Sequence, residues 1–494
     1  MKICYYLGVA EIAQTVEHLN RNQRVAGSSP VFGTIYLYRR EKRMSYNINL
    51  RLDPNFTPMI KVYQDYLKRA DFNQIMTIGL ESHNQVSYHE LPLIPKYNKK
   101  DLRFIERYIK TLLWVKGGHT IFLDAPKVVG NYIKQAFSLE GERGFDVDFM
   151  ETVYKRTFQV ILTQKHTFPS EKSQPESIGR NLDGCRIGFD AGGSDRKVSA
   201  VKDGEVVYSE EVVWFPKLQS DPNYHLEEIK AAFQTAASHL PRVDAIGISS
   251  AGVYIDNQTR VASLFIKIPK KDYHLVENIY HEAVQSIGDV PFVVANDGDV
   301  TALAGAMGMN KNGILGIAMG TSEAVGYVNQ DGHITGWLNE LAFAPIDFNQ
   351  ESMVDEWSGD YGCGVKYLSQ DSVIKLATAA KLPIDEKLSL ADQLKQVQGW
   401  VNEGNEDALE IFRTIGVYLG YAILYYHLFY DINSVMILGR VTSGVGGDLI
   451  LENARKIVEL ENPVFAESLE INLPNEQTRR VGQSIAAASL PVII

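Results

Sequence analysis

The strongest constraint on how this chain folds is a plan it carries twice: an apolar strand, a glycine-bearing turn and a second strand. Residues 185–190 read as a buried strand. Gly188-Phe189-Asp190-Ala191-Gly192-Gly193-Ser194-Asp195-Arg196-Lys197 then leads through the turn to a partner strand at 198–201. Residues 314–319 and 324–328 repeat the arrangement around Gly320-Thr321-Ser322. After the first pair come the turn Lys202-Asp203-Gly204, a strand at 205–214 and a helix at 225–240, with Leu226, Ile229, Phe233 and Ala236 at helical spacing. Buried strands at 243–249 and 291–295, with a helix at 276–287 between them, complete a mixed sheet covered by helices. After the second pair come helices at 390–401 and 407–428, a buried strand at 434–438 and a small-residue helix at 479–490 expected to pack back on the sheet. Two such lobes around a cleft place both glycine turns opposite each other.

Glycine turns of this kind let backbone N–H groups approach phosphate oxygens closely. Between the two turns lies Asn296-Asp297-Gly298, after the apolar run 291–295. An aspartate there is placed as a general base for phosphoryl transfer would be. Plainer roles exist for the same residues. Asp190 could cap a turn, Gly192-Gly193 could close a hairpin, and Asp297 could cap a helix starting near Gly298 without losing the base role. Glu340 could be a solvated carboxylate and Cys363 a small buried hydrophobe. Lys116-Gly117-Gly118-His119 lacks the rest of a Walker motif and reads as a turn.

With 494 residues the chain has room for two or three domains. Its segments read as a leader at 1–43, an α+β unit at 44–168, a proline-bearing polar linker at 169–183, a first lobe at 184–310 and a second at 311–494. Residues 1–43 resemble conceptual translation across a transfer-RNA gene, so Met44 is the expected start. A net charge of −11 argues against a surface built to hold nucleic acid or anionic lipid. Cys4, Cys185 and Cys363 are too few and too scattered for a disulfide framework, which fits a reducing, cytoplasmic setting. No apolar run reads as a membrane span.

Asp190-Ala191-Gly192-Gly193-Ser194, Ser250-Ala251-Gly252, Asn296-Asp297, Gly320-Thr321 and Gly439-Arg440-Val441 occur in the order seen in sugar kinases. Over residues 184–494 the chain resembles the ROK family (repressors, open reading frames and kinases) of the actin-like ATPase superfamily. The resemblance implies an α/β fold of two actin-like, ribonuclease H-like lobes, and an ATP- and Mg²⁺-dependent transfer to a hexose or related sugar. It implies that Asp190 helps hold Mg²⁺ through water, and that Gly192, Gly193, Ser194 and Lys197 line the nucleotide phosphates. Gly320 and Thr321 would form the second phosphate turn, with Gly439, Ser443 and Gly444 on the adenosine side. Asn296 and Glu340 would bind sugar, and Asp297 would take the proton from the attacking hydroxyl. Sugar and nucleotide are the expected partners, with a homodimer allowed and neither membrane nor nucleic acid expected.

The departures from the family pattern are as specific. Where the family has Glu-x-Gly-His, this chain has Glu340-Leu341-Ala342-Phe343. The Cys-x-Cys-Gly-x-x-Gly-Cys motif becomes a stretch ending Ser358-Gly359-Asp360-Tyr361-Gly362-Cys363, and a family glutamate falls at Val365. One cysteine and a phenylalanine cannot build a tetrahedral zinc site, so no zinc is expected. A non-catalytic sugar sensor or transcriptional regulator of the family is the alternative function, and an assembly protein using the fold as a scaffold is a third. A family repressor needs an N-terminal helix-turn-helix, and 44–180 show no such pattern.

Overall fold

The computed structural model describes residues 50–172, 178–474 and 482–493. The expected leader, the first residues after it and residues 173–177 of the expected linker lie outside the described residues.

The N-terminal unit opens with helix α1 (Met59–Leu67), hairpin strands β1 (Asp71–Glu81) and β2 (Val86–Leu93), and helix α2 (Lys99–Lys116). Strand β3 (Thr120–Asp124), helices α3 (Lys127–Ala136) and α4 (Gly144–Tyr154) and strand β4 (Gln159–Leu162) follow, giving a sheet ordered β2-β1-β3-β4. A capping box starts α2: the Asn98 side chain accepts from Asp101 N–H, and the Asp101 carboxylate accepts from Asn98 N–H. Gly117 ends it with φ 76°, so Lys116-Gly117-Gly118-His119 is a helix exit. Almost every side chain on α2 from Phe104 to Val115 is buried, because the helix is covered on both sides. Among the described residues the N-terminal unit has no apolar cluster separate from the second lobe. Tyr63, Tyr108 and Leu112 share one apolar cluster with Tyr418, Tyr425 and Phe429 of the second lobe.

The first lobe is a sheet ordered β11-β8-β5-β6-β7. Strands β5 (Cys185–Ala191), β6 (Asp195–Lys202) and β7 (Glu205–Val213) form an antiparallel meander. Asp203 and Gly204, at φ 50° and 84°, make the turn between the last two. Helix α5 (Pro222–Ser238) then crosses to β8 (Ala245–Ser250), parallel to β5. Next come the hairpin of β9 (Val253–Ile255) and β10 (Gln258–Val261), and the short helices α6 (His274–Glu277) and α7 (Ile279–Gln285). The helix expected over 276–287 is thus broken at Asn278, whose side chain accepts from Gln258. Strand β11 (Phe292–Asn296) closes the sheet edge, parallel to β8, and runs straight into helix α8 (Asp297–Met309).

In the second lobe β12 (Ile314–Met319) and β13 (Glu323–Val328) are antiparallel. Helices α9 (Gln370–Ala379), α10 (Leu390–Asn402) and α11 (Glu406–Tyr426) lead to β14 (Ser434–Leu438), then helices α12 (Val445–Glu461) and α13 (Pro463–Ser468) and strand β15 (Glu470–Asn472). The sheet order is β13-β12-β14-β15. Helix α11 is long and apolar enough to cross a membrane, which the sequence reading had not recognised, yet 78% of its most apolar stretch is buried inside the protein. It is the central core helix of this lobe. Helix α14 (Gln483–Ala488) crosses to the first lobe and lies on β5 and β8. A Cβ on Gly188 or Gly247 would come within 1.7 Å of a carbonyl of that helix, so glycine permits the contact.

Candidate functional site

Strand β11 ends where helix α8 begins, and the joint carries Asn296 and Asp297. Asn296, not Asp297, is the N-cap: its Oδ1 accepts from Gly298 N–H at 2.7 Å, while its Nδ2 donates to the Gly252 carbonyl at 2.8 Å. Asp297 is therefore the first helical residue. Gly298 lies so close to β13 that a Cβ on Gly326 would stand 2.1 Å from the Gly298 carbonyl. That close approach fixes the start of α8 against the second lobe. Gln483 of α14 donates to both the Asp297 carbonyl oxygen and Ser249 Oγ, at 3.0 and 3.2 Å.

Asp190, near the end of β5, is buried and accepts from Ser249 Oγ at 2.9 Å. Burial pushes its carboxyl up to about 6; the Ser249 hydroxyl opposes this, and the nearby Asp297 charge adds to it. Burial likewise raises Asp297, against the stabilising Gly298 N–H and the Lys217 ammonium. The two aspartates therefore share a field. The Gly192-Gly193-Ser194 turn is held by Trp214, whose Nε1 donates to the Gly192 carbonyl at 2.7 Å and whose N–H donates to that of Ser194 at 3.2 Å. Lys197 faces Asp190 across the β5–β6 pairing and lies 3.5 Å from Glu211. Lys217 is the lysine beside the turn, its Nζ 3.2 Å from where a Gly193 Cβ would be. Sequence reading missed it; the one signal was its place just after a strand, in Phe215-Pro216-Lys217.

Gly320 and Thr321 join β12 to β13, and Thr321 is exposed. The turn is pinned by Gln370 N–H, which donates to the Gly320 carbonyl at 2.9 Å. Gly439, Ser443 and Gly444 line a separate groove of about 390 Å³ leading into α12. Glu340 lies in the acidic group around Asp297. Burial, then the Asp297 and Asp299 charges, push it up to about 7. Sequence reading missed two more members. Asp299 accepts from Tyr327 N–H and Asn339 Nδ2 and is raised to about 7, by burial first. Glu323 is buried and pushed up to about 8 by burial and the Glu340 charge; Tyr426 tempers this without a hydrogen bond of ordinary geometry.

The N-terminal unit holds this group in place. Its helix α2 ends with carbonyls that lack helical partners, and Asn339 and Glu340 supply N–H donors to those of Val115 and Trp114, at 3.1 and 3.0 Å. Phe343, in place of the family histidine, packs 4.6 Å from Trp114 and 5.3 Å from Phe145, ring centre to ring centre. In the loop that bears cysteines in the family pattern, Asp360 pairs with Arg107, Lys110 and Arg143. Val365 and Cys363 lie in a small apolar cluster with Ala342.

A magnesium ion in phosphoryl transfer needs only one or two protein carboxylates, since nucleotide phosphates and water complete its shell. Asp190, one oxygen of which accepts from Ser249 at 2.9 Å, is a carboxylate of the kind required. Among the described residues no group of three or more potential ligands forms a protein cage for a metal.

The chain is similar to a ROK family glucokinase from Streptomyces griseus in complex with glucose and AMPPNP, at 20% identity over 61% of this chain and 98% of that one, TM-score 0.45. It is similar to a ROK family transcriptional regulator, a homologue of the E. coli MLC protein, at 20% identity over 63% and 79%, TM-score 0.47. A ROK hexokinase from Thermus thermophilus gives 16% identity over 62% and 98%, TM-score 0.48. Among curated proteins no sequence match is found. The sequence pattern of the ROK family matches residues 186–459, more than half the chain, spanning both glycine turns and the β11–α8 joint. With its paired sheets and its cleft, the chain belongs to the ROK family, which includes both sugar kinases and non-enzymatic regulators.

Proposed function

We propose that the protein is an ATP-dependent carbohydrate kinase in which Asp297 is the general base. The observation that carries this is the placement of a carboxylate, raised by burial, at the β11–α8 joint beside Asp190. A sugar hydroxyl is a weak nucleophile at neutral pH, so a positioned carboxylate that takes its proton during attack lowers the barrier. Asp297 would accept that proton, its carboxylate held at a helix N-terminus that favours its charge. Asp190 would hold Mg²⁺, which when bound neutralises charge on the nucleotide phosphates. The Gly192-Gly193-Ser194 and Gly320-Thr321 turns would supply backbone N–H donors, with Lys217 joining Lys197 on the phosphate side. Gly439, Ser443 and Gly444 would face the adenosine, and Asn296 and Glu340 the sugar.

The regulator reading calls for an N-terminal pair of short helices around a tight turn. The described N-terminal residues instead form a four-stranded sheet with covering helices. A coupled ADP-release assay with Mg-ATP and a panel of hexoses and amino sugars tests the proposal. Sugar-dependent release is the expected result; sugar binding by calorimetry with no release would support the sensor instead.

A further inference from the structure

An opening beside Asn296 is not walled by the two lobes alone. A cavity of about 470 Å³ is bounded by Asn296 and Asp299 on one side and by Ser82, His83, Asn84 and Gln85 on the other. Those four residues are the tip of the β1–β2 hairpin, closed by Ser82 N–H donating to the Gln85 carbonyl. They belong to the N-terminal unit, outside the stretch matched to the ROK family.

The tip touches both lobes. His83 Nε2 lies 2.8 Å from Asp256 Oδ2 in the β9–β10 turn of the first lobe. Gln85 Nε2 donates to the Thr335 carbonyl of the second lobe at 3.0 Å. Tyr154, at the end of α4, adds an aromatic wall from the same unit. The hairpin is thus a fixed side of the cavity, anchored at two points.

Two features limit what the cavity takes. Even at about 30 Å³ per heavy atom, the share of one molecule in liquid water, a single hexose ring does not fill it. The acids among the lining residues are Asp256 and Asp299, and no Lys or Arg stands among the described lining residues, so nothing there pairs with a negatively charged guest. We propose that Ser82–Gln85 is a specificity element of the acceptor site, reading an uncharged substituent that extends beyond the sugar ring. This rests on the acceptor site lying at Asn296 and Asp297.

Calorimetry on the full chain tests it with glucose, N-acetylglucosamine and glucuronate as probes, comparing wild type with His83→Ala and Asn84→Ala. The second variant removes a side chain for which no bond to either lobe is seen, so it keeps the test open should the first fail to fold. Wild type is expected to bind N-acetylglucosamine about 10-fold more tightly than glucose, and glucuronate more weakly than either. In both folded variants the ratio of the first two dissociation constants should fall towards one. An unchanged ratio in both variants overturns the proposal, as does a wild type that binds none of the probes, shows no preference, or prefers glucuronate. ADP release measured on the same samples separates the two readings. Binding preference without turnover contradicts the kinase and leaves the hairpin role standing; turnover with unaltered preference contradicts the hairpin role alone.

Discussion

The Lys110 ammonium reaches the Asp360 carboxylate across 2.5 Å, joining helix α2 of the N-terminal unit to the loop that bears cysteines in the family pattern. Arg107 and Arg143 converge on the same carboxylate, and Glu106 and Asp146 balance the remaining charge. Burial alone would push Asp360 up; the three cations hold it far below the usual carboxylate range.

Asp360→Asn should therefore be strongly destabilising. Removing one partner of a buried ion group leaves uncompensated charge, at a cost of about 3–5 kcal/mol. Thermal unfolding should show a midpoint several degrees lower. A midpoint within about 1 °C of wild type would contradict the assigned role of this ion group.

Glu323 gives a pH-dependent prediction. Its carboxyl is raised from 4.5 to about 8 in the folded protein. The stability this group contributes is present in full below its unfolded value and is lost as pH rises through about 8. Glu323→Gln removes that loss, so its unfolding free energy relative to wild type should rise between pH 5 and pH 9, by an amount on the order of a few kcal/mol. A difference that is flat across this range would show that Glu323 is not buried as described.

Helix α14 ties the end of the chain to the first lobe, and Gly247 allows its approach. Gly247→Ala places a methyl group 1.7 Å from the Ala487 carbonyl, so helix or sheet must shift. The expected cost is about 1–3 kcal/mol, with faster hydrogen exchange in α14 than in α11. Unchanged stability and exchange would place that helix elsewhere.

The proposed base also predicts a pH profile. Asp297 is raised by burial and shares its field with Asp190, at about 6, and Glu340, at about 7. The group should titrate as a coupled set. The acceptor kcat/KM should therefore fall with decreasing pH at a pH above the range of an ordinary carboxylate. A plateau extending below pH 5 would exclude this carboxylate group as the source of the base.

The paired strands of both lobes were legible in the sequence because each is an apolar run bounded by glycine, and sheet period and turn chemistry agree there. The β11–α8 joint was legible for the same reason, though the identity of its cap was not. Asn296 and Asp297 are adjacent and both are good caps, and only the fold shows which one turns back to Gly298. Helix α12 was missed because it opens in Gly444-Val445-Gly446-Gly447, which reads as a loop. Arg107 and Lys110 look like ordinary solvated helix charges until Asp360, some 250 residues away, is brought against them. Glu323 and Asp299 gave no local signal either, since burial of a carboxyl is a property of what folds around it. The glycine turns and the strand–helix joint were thus readable in the sequence, and the contacts that the N-terminal unit makes with the second lobe were not.

The most direct test of the account is Asp297→Asn in the ADP-release assay, at saturating Mg-ATP with the best acceptor found. The substitution preserves shape and removes the base, so kcat should fall about 10²–10⁴-fold while the KM for ATP moves little. A variant that keeps kcat within about tenfold of wild type would contradict Asp297 as the group that takes the acceptor's proton.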